Sequence, residues 1–239
     1  MFSEFNPVNK CITREDINRI TGFNPINVLY YQKAFIHKSV LRFLKDENLN
    51  SSYERYEFLG DSVLNLIIAE FIFNKYPDKE EGYLTRIRTK LVNGKTLAFF
   101  AKKINLNEFL IISKNVESIN GRNNDRILED IFEAFLCSIN MDLGYKYTEN
   151  FVLRIINEHI NFETLEEDTN YKDILLRKCQ QNLQINPEYE LISTSGPSHK
   201  KTFTSVAIIN GQRYATGTGN TKKESEQAAS KNTLDILQI

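Results

Sequence analysis

Apolar residues recur every three or four positions through most of the first 160 residues, and that spacing predicts one helix after another. Thr13, followed by Arg14, Glu15 and Asp16, has the form of an N-cap with an acidic first turn. Pro25 suits the first turn of a helical stretch running toward Ser39. A third helix is expected from about Tyr53 to Tyr76, where Pro77 stops it. Further helical segments fall near Thr85–Lys103 and Arg126–Leu143, the latter closed by Gly144, with a last one over Tyr147–Ile160. Nothing in this region alternates at period two, so its class is all-α.

The pattern then changes. Residues 161–169 belong to an acidic, polar stretch (NFETLEEDTN) with little periodicity, which reads as a linker. Tyr171–Asn182 is helical in pattern, Glu188–Ser195 and Lys201–Ile209 are strand-like, and Asn210-Gly211 is a strong hairpin signal leading into Gln212–Thr218. Thr221 and Glu224 form a capping box at the start of a last helix ending near Leu237. The expected organisation is mainly α: an all-α domain over residues 1–160, a linker over 161–169, and a small α+β domain of order α-β-β-β-α over 170–239.

Composition narrows the class. Of 239 residues, 41% are hydrophobic and 26% charged, as in ordinary globular proteins. Cys11, Cys137 and Cys179 are too far apart for a metal-ligand spacing or a disulfide framework, which points to a reducing compartment. The N-terminus lacks a signal-peptide pattern, and the most apolar run, Phe58–Phe73, is interrupted by Asp61, Asn65 and Glu70. A cytoplasmic, intracellular protein without a membrane span is expected. Residues 1–169 carry 21 Lys and Arg against 25 Asp and Glu, whereas residues 170–239 carry 9 against 6. That split suggests different work for the two parts, although the basic excess of the tail is too small to establish nucleic-acid binding.

Two predicted helices carry the candidate chemistry. Glu57 and Asp61 are four apart on a helix that is apolar nearly all round and should therefore be buried, with Glu54 one turn earlier. Asp130 and Glu133 are three apart on a second apolar helix. Any one of these acids alone would ordinarily be a solvated surface group. Two pairs on two apolar helices need a counter-charge, and neither helix pattern supplies a basic residue on that face. An all-oxygen set without His or Cys suits Mg²⁺ or Mn²⁺ rather than zinc. His37, single and near a helix end, reads as a capping or packing residue.

The run ERYEFLGDS, Glu54–Ser62, closely resembles the signature of the ribonuclease III family of double-stranded-RNA endonucleases. Further stretches are similar to other blocks of that family: AFIHKS (Ala34–Ser39) to Leu-Thr-His-Arg-Ser, EGYLTRIRTKLV (Glu81–Val92) to Glu-Gly-x-Leu-Ser-x-x-Arg, and DIFEA (Asp130–Ala134) to Asp-x-x-Glu-Ala. The resemblance implies that Glu57, Asp61, Asp130 and Glu133 are the metal-binding catalytic set. It implies that Glu54 and Glu81 assist RNA and second-metal binding, and that the ion is Mg²⁺ with Mn²⁺ as a substitute.

In the tail, GPSHKKTF (Gly196–Phe203) places His199, Lys200 and Lys201 on a loop, and Lys222 and Lys223 stand at a helix N-terminus where phosphate is favoured. Both blocks resemble the double-stranded-RNA-binding domain, which implies that His199 enters a minor groove while Lys222 and Lys223 span phosphates. Leu176 and Arg177 depart from the family's Gln and Glu, so Arg177 is expected to touch phosphate, and Ser225 replaces a common Ala. The resemblance further implies a homodimer in which each site cuts one strand of double-stranded RNA and leaves short 3′ overhangs. A non-catalytic protein that sequesters RNA duplexes is the alternative, and retention of all six acids favours the enzyme.

Overall fold

Apolar periodicity resolves into two compact units, residues 1–165 and 166–239, in a computed structural model that describes residues 9–44, 46–166, 170–197 and 200–238. In the first unit α1 (Arg14–Thr21) begins at a complete capping box between Thr13 and Asp16 and ends at Gly22 in the left-handed region. The second helix does not start at Pro25. Asp142 accepts hydrogen bonds from the backbone N–H of Ile26 and Asn27, so the chain is held out of a helix there and α2 runs only over Val28–Lys33 from an Asn27 cap. Beyond it, a 3-10 helix covers Lys38–Phe43, capped by the His37 imidazole, whose Nδ1 accepts from the Ser39 N–H.

The third helix, α3 (Glu54–Lys75), is where expected, but it is not buried all round. Leu64, Ile67, Ile68 and Ile72 enter the core, whereas Phe58 is 78% and Phe73 68% exposed, with Leu59 and Leu66 open beside them. A single helix near Thr85–Lys103 is also corrected. The segment breaks into α4 (Glu81–Leu91) and α5 (Gly94–Lys103), because the Asn93 side chain accepts from the Thr96 N–H and starts a new helix. A short helix, α6 (Lys114–Ser118), precedes α7 (Asp125–Leu143), whose Leu128, Ile131, Phe132, Phe135 and Ile139 are the centre of the core. α8 (Tyr145–His159) follows Gly144. Part of the stretch read as linker is itself helical, α9 (Phe162–Glu166), and the Phe162 ring packs against Phe71.

The second unit is built from α10 (Tyr171–Leu183), β1 (Glu188–Ser195), β2 (Thr202–Ile209), β3 (Gln212–Gly219) and α11 (Lys222–Leu237). The sheet is antiparallel in the order β1-β2-β3, and Asn210 and Gly211 turn the second hairpin with positive φ. Leu175 and Cys179 of α10 meet Ala207 and Ile209 of β2 and Ala229 and Leu234 of α11 in one small core. The box at Thr221 is half formed. Thr221 accepts from the Glu224 N–H, but the Glu224 carboxylate reaches the N–H of Asn220 instead. No helix among the described residues is long and apolar enough to cross a membrane.

Candidate active site

The two acid-bearing helices, α3 and α7, lie backbone to backbone because of Gly60. A Cβ at that position would stand 1.9 Å from the Glu133 carbonyl oxygen, so only glycine admits this approach. The close approach carries Glu57 and Asp61 of α3 to the same side of the unit as Asp130 and Glu133 of α7. Glu133 is only 8% exposed, Glu57 and Asp130 are half-buried, and Asp61 is exposed. Two of the four have a neutral hydrogen-bond donor. The Tyr53 hydroxyl donates to Asp130 Oδ2 at 3.1 Å, and Asn65 Nδ2 donates to Asp61 Oδ1 at 2.6 Å.

The electrostatics are those of a cluster. Burial, and then the charges of Asp61, Glu129, Glu57 and Asp130, push the Glu133 carboxyl up to about 8. Glu57 is raised by burial and by Asp130, Glu54 and Glu129, against a lowering contribution from Arg126. Asp130 is raised by burial, with the Tyr53 hydrogen bond and Arg126 acting the other way. Arg126 therefore places a cation on the acidic face of α7, contrary to the sequence expectation that none is supplied. It forms no ion pair with any of the four acids, and among the described residues no salt bridge reaches them.

Glu129 is an addition that sequence reasoning missed. Its carboxylate sits against Gly94 at the start of α5, where a Cβ would stand 2.3 Å from Glu129 Oε2, and it shares the field of Asp130 and Asp61. Its spacing of four from Glu133 was the available signal. Among the described residues, no three His, Cys, Asp or Glu side chains are assembled as a metal cage. The acids share a field without sharing a coordination sphere. Their oxygen-only chemistry, with one carboxyl buried and without a cation of its own, nevertheless fits a hard divalent ion.

Of the two further acids the sequence pointed to, Glu54 lies at the edge of this group, where its charge raises Glu57 and Asp130. Glu54 is exposed and paired with Lys38 at 3.0 Å, which, with Ser52, holds its carboxyl below the usual range. Glu81, at the start of α4, accepts from the Thr85 hydroxyl. A cavity of about 510 Å³ opens between Lys38, Tyr53, Glu54, Glu57, Arg126 and Asp130, large enough to admit part of a polyanion beside the acids.

In the second unit Lys222 and Lys223 are exposed on the first turn of α11, with Lys222 only loosely associated with Glu226 at 4.0 Å. Lys200 and Lys201 are exposed on the loop between β1 and β2, which closes through the Lys200 N–H donating to Pro197 O at 2.8 Å. His199 lies outside the described residues. Arg177 is exposed on α10 and pairs with Asp173 at 3.2 Å, so its guanidinium is partly engaged within its own helix.

Comparison with known proteins identifies both units. Residues 28–160 match the family described as Ribonuclease-III-like, and residues 171–237 match the double-stranded RNA binding motif. The chain is 34% identical to Ribonuclease 3 of Listeria innocua, over 93% of its own length and 97% of that protein. It is 38% identical to Ribonuclease 3 of Staphylococcus aureus, over 90% of its own length and 88% of that protein. Among solved structures, the nuclease domain of ribonuclease III from Campylobacter jejuni, described for flexibility in a region involved in dimer formation, superposes with a TM-score of 0.56 at 30% identity. That match spans 62% of this chain and 99% of that domain. The chain belongs to the ribonuclease III family and is an endoribonuclease whose helical nuclease domain is followed by a double-stranded-RNA-binding domain.

Proposed function

We propose that Glu57, Asp61, Asp130 and Glu133 hold a divalent ion, Mg²⁺ with Mn²⁺ able to replace it, and that this site hydrolyses one strand of a double-stranded RNA. The observation that carries the reading is Glu133. It is only 8% exposed on a helix packed backbone to backbone against the one that carries Glu57 and Asp61, and among the described residues no salt bridge reaches these acids, so the cluster lacks a paired positive charge. When bound, the ion supplies an activated water and charge neutralisation at the scissile phosphodiester. The protein's own part is to keep four oxygen donors on two helices locked together at Gly60, and to offer Arg126 and Lys38 at the rim, where a phosphate backbone would approach. Glu54, at the edge of the same cavity, and Glu81 assist RNA and second-metal binding.

The grip on RNA is assigned to the second domain. Lys222 and Lys223, together with Lys200, Lys201, His199 and Arg177, would meet phosphates and ribose, reading the A-form shape of a duplex rather than its sequence.

One site cuts one strand, so a double-strand break needs two copies. On α3, Phe58, Leu66 and Phe73 fall on one face with Leu59 at its margin, and all four are exposed. A recess of about 310 Å³ lined by Tyr56, Leu59, Cys137 and Met141 opens nearby. A two-fold pair of copies can bury a stripe and a recess of this kind against each other, and staggered cuts from two such sites would leave short 3′ overhangs. A Phe58→Asp variant should sediment as a monomer, and a dimer that survives it would count against this face.

The test of the activity is direct. Long double-stranded RNA with the protein and Mg²⁺ should be cut to short duplexes, while EDTA or Glu133→Gln should leave it intact but bound. Cleavage that proceeds unchanged in EDTA would overturn the metal site.

A further inference from the structure

Tyr53 joins the two acid-bearing helices at the mouth of the cavity. It stands immediately before α3, and its carbonyl accepts the first helical bond, from the Glu57 N–H at 2.9 Å. Its own N–H donates to Ile36 O at 2.9 Å, which anchors the start of the helix to the segment before His37. The ring is 3% exposed and packs at 5.9 Å from the His37 imidazole. The hydroxyl, at the far end, crosses to α7 and donates to Asp130 Oδ2 at 3.1 Å. The residue that sets where Glu54 and Glu57 begin is thus the residue that holds Asp130.

A carboxylate on a helix has free rotation about its last bond. One hydrogen bond on Oδ2 restricts that turning and leaves Oδ1 free of a hydrogen-bond donor among the described residues. Among the described residues Asp130 has no other hydrogen-bond donor, and the cations that act on it, Arg126 and Lys38, do so through space.

We propose that Tyr53 is a positioning residue for the nuclease site, orienting the Asp130 carboxylate toward the bound divalent ion through its hydroxyl. This inference rests on the metal-site reading above. Groups that orient metal ligands from behind typically matter by about 10–100-fold in affinity or rate when removed.

The variant that isolates the hydroxyl is Tyr53→Phe, which keeps the buried ring. In the full-length protein, titration calorimetry with Mn²⁺ should give an affinity lower by about 10-fold or more. Steady-state cleavage of a short RNA duplex should show kcat reduced and KM little changed, because RNA binding does not pass through this hydroxyl. The same change made in an Asp130→Asn background separates positioning from mere stabilisation. If Tyr53 acts through Asp130, removing the hydroxyl there costs little further in Mn²⁺ affinity, whereas a purely structural role costs the same in both backgrounds. All titrations are run well below the melting temperature of each variant. Wild-type Mn²⁺ affinity and kcat in Tyr53→Phe would sink the proposal while leaving the metal site intact. A wild-type protein that takes up no Mn²⁺ would overturn the metal site itself, and the inference with it.

Discussion

Gly60 and Glu133 touch through their backbones: the α-carbon hydrogen of one faces the carbonyl oxygen of the other, at a distance that leaves no room for a methyl group. An alanine usually gains helix stability over glycine, by about 1 kcal/mol in a helix interior. Here the obstacle is backbone, not the end of a flexible side chain, so α3 and α7 must separate to accept it. Gly60→Ala is expected to lower stability by about 1–3 kcal/mol net, in the range of overpacked cores. It should also reduce cleavage more than RNA binding, since the two acid pairs move apart. Urea denaturation and a gel-shift assay on the same preparation check both halves, and an unchanged midpoint would contradict the close approach of the two helices.

The raised carboxyl of Glu133 has a consequence for the metal-free protein. Its pKa is about 8 in the fold against an ordinary 4.5, so between those values the folded protein holds a proton that the unfolded chain has released. Stability contributed by that proton is present at acid pH and is lost as pH rises from about 4.5 through about 8. In EDTA the protein should therefore melt at a lower temperature at pH 8.5 than at pH 6, by an amount corresponding to a few kcal/mol at most. Glu133→Gln should flatten that slope and be more stable than wild type at the higher pH, although it loses cleavage. Addition of Mg²⁺ should stabilise wild type chiefly at high pH, where the site is ionised. A melting temperature independent of pH across this window would contradict the buried cluster.

The acid pairs were legible because charge on an otherwise apolar helix violates its own pattern, and the spacings of four and three put each pair on one face. Glu129 escaped for a local reason: it adjoins Asp130 and reads as part of the same polar position, although its spacing from Glu133 was available. The break between α4 and α5 escaped because the apolar pattern continues through it, and the Asn93 side chain alone makes the cut. The start of α2 could not be read locally at all, since the Asp142 carboxylate that holds Ile26 and Asn27 out of a helix comes from α7. The open stripe on α3 is the same kind of case. Its apolar residues read as core, and only the packed structure leaves them facing out. The second domain was easier, because an Asn-Gly turn and a Thr N-cap are short-range signals.

Lys222 and Lys223 stand on the first turn of α11, where the helix dipole disfavours positive charge. Replacing both by alanine should therefore slightly stabilise the free protein. Duplex RNA affinity should fall, equally across sequences, and the slope of log affinity against log salt should shrink by about one for each phosphate that is no longer neutralised. At saturating RNA the cleavage rate should be little altered, because the acids are in the other domain. Opposite signs for stability and binding would mark the lysines as functional. An unchanged salt slope would place the RNA grip elsewhere.

Ser225 shows how the start of α11 is held against the sheet. Its hydroxyl donates to the Lys222 carbonyl at 2.8 Å, so the hydrogen bond of 2.7 Å with Ser205 of β2 must be donated by Ser205. Both hydroxyls are buried. A Ser225→Ala change would strand the Ser205 donor in the core. The expected cost is about 1–3 kcal/mol, the range for a buried polar group left unpaired. Ser205→Ala with Ser225→Ala should recover much of it, because neither partner then remains to be satisfied. Amide hydrogen exchange of β2 and α11 reads the effect within this domain: faster exchange in the single variant, and near-normal exchange in the double. If the single variant exchanges like wild type, the two hydroxyls are not coupled, and the first turn of α11 is held by its Thr221 cap alone.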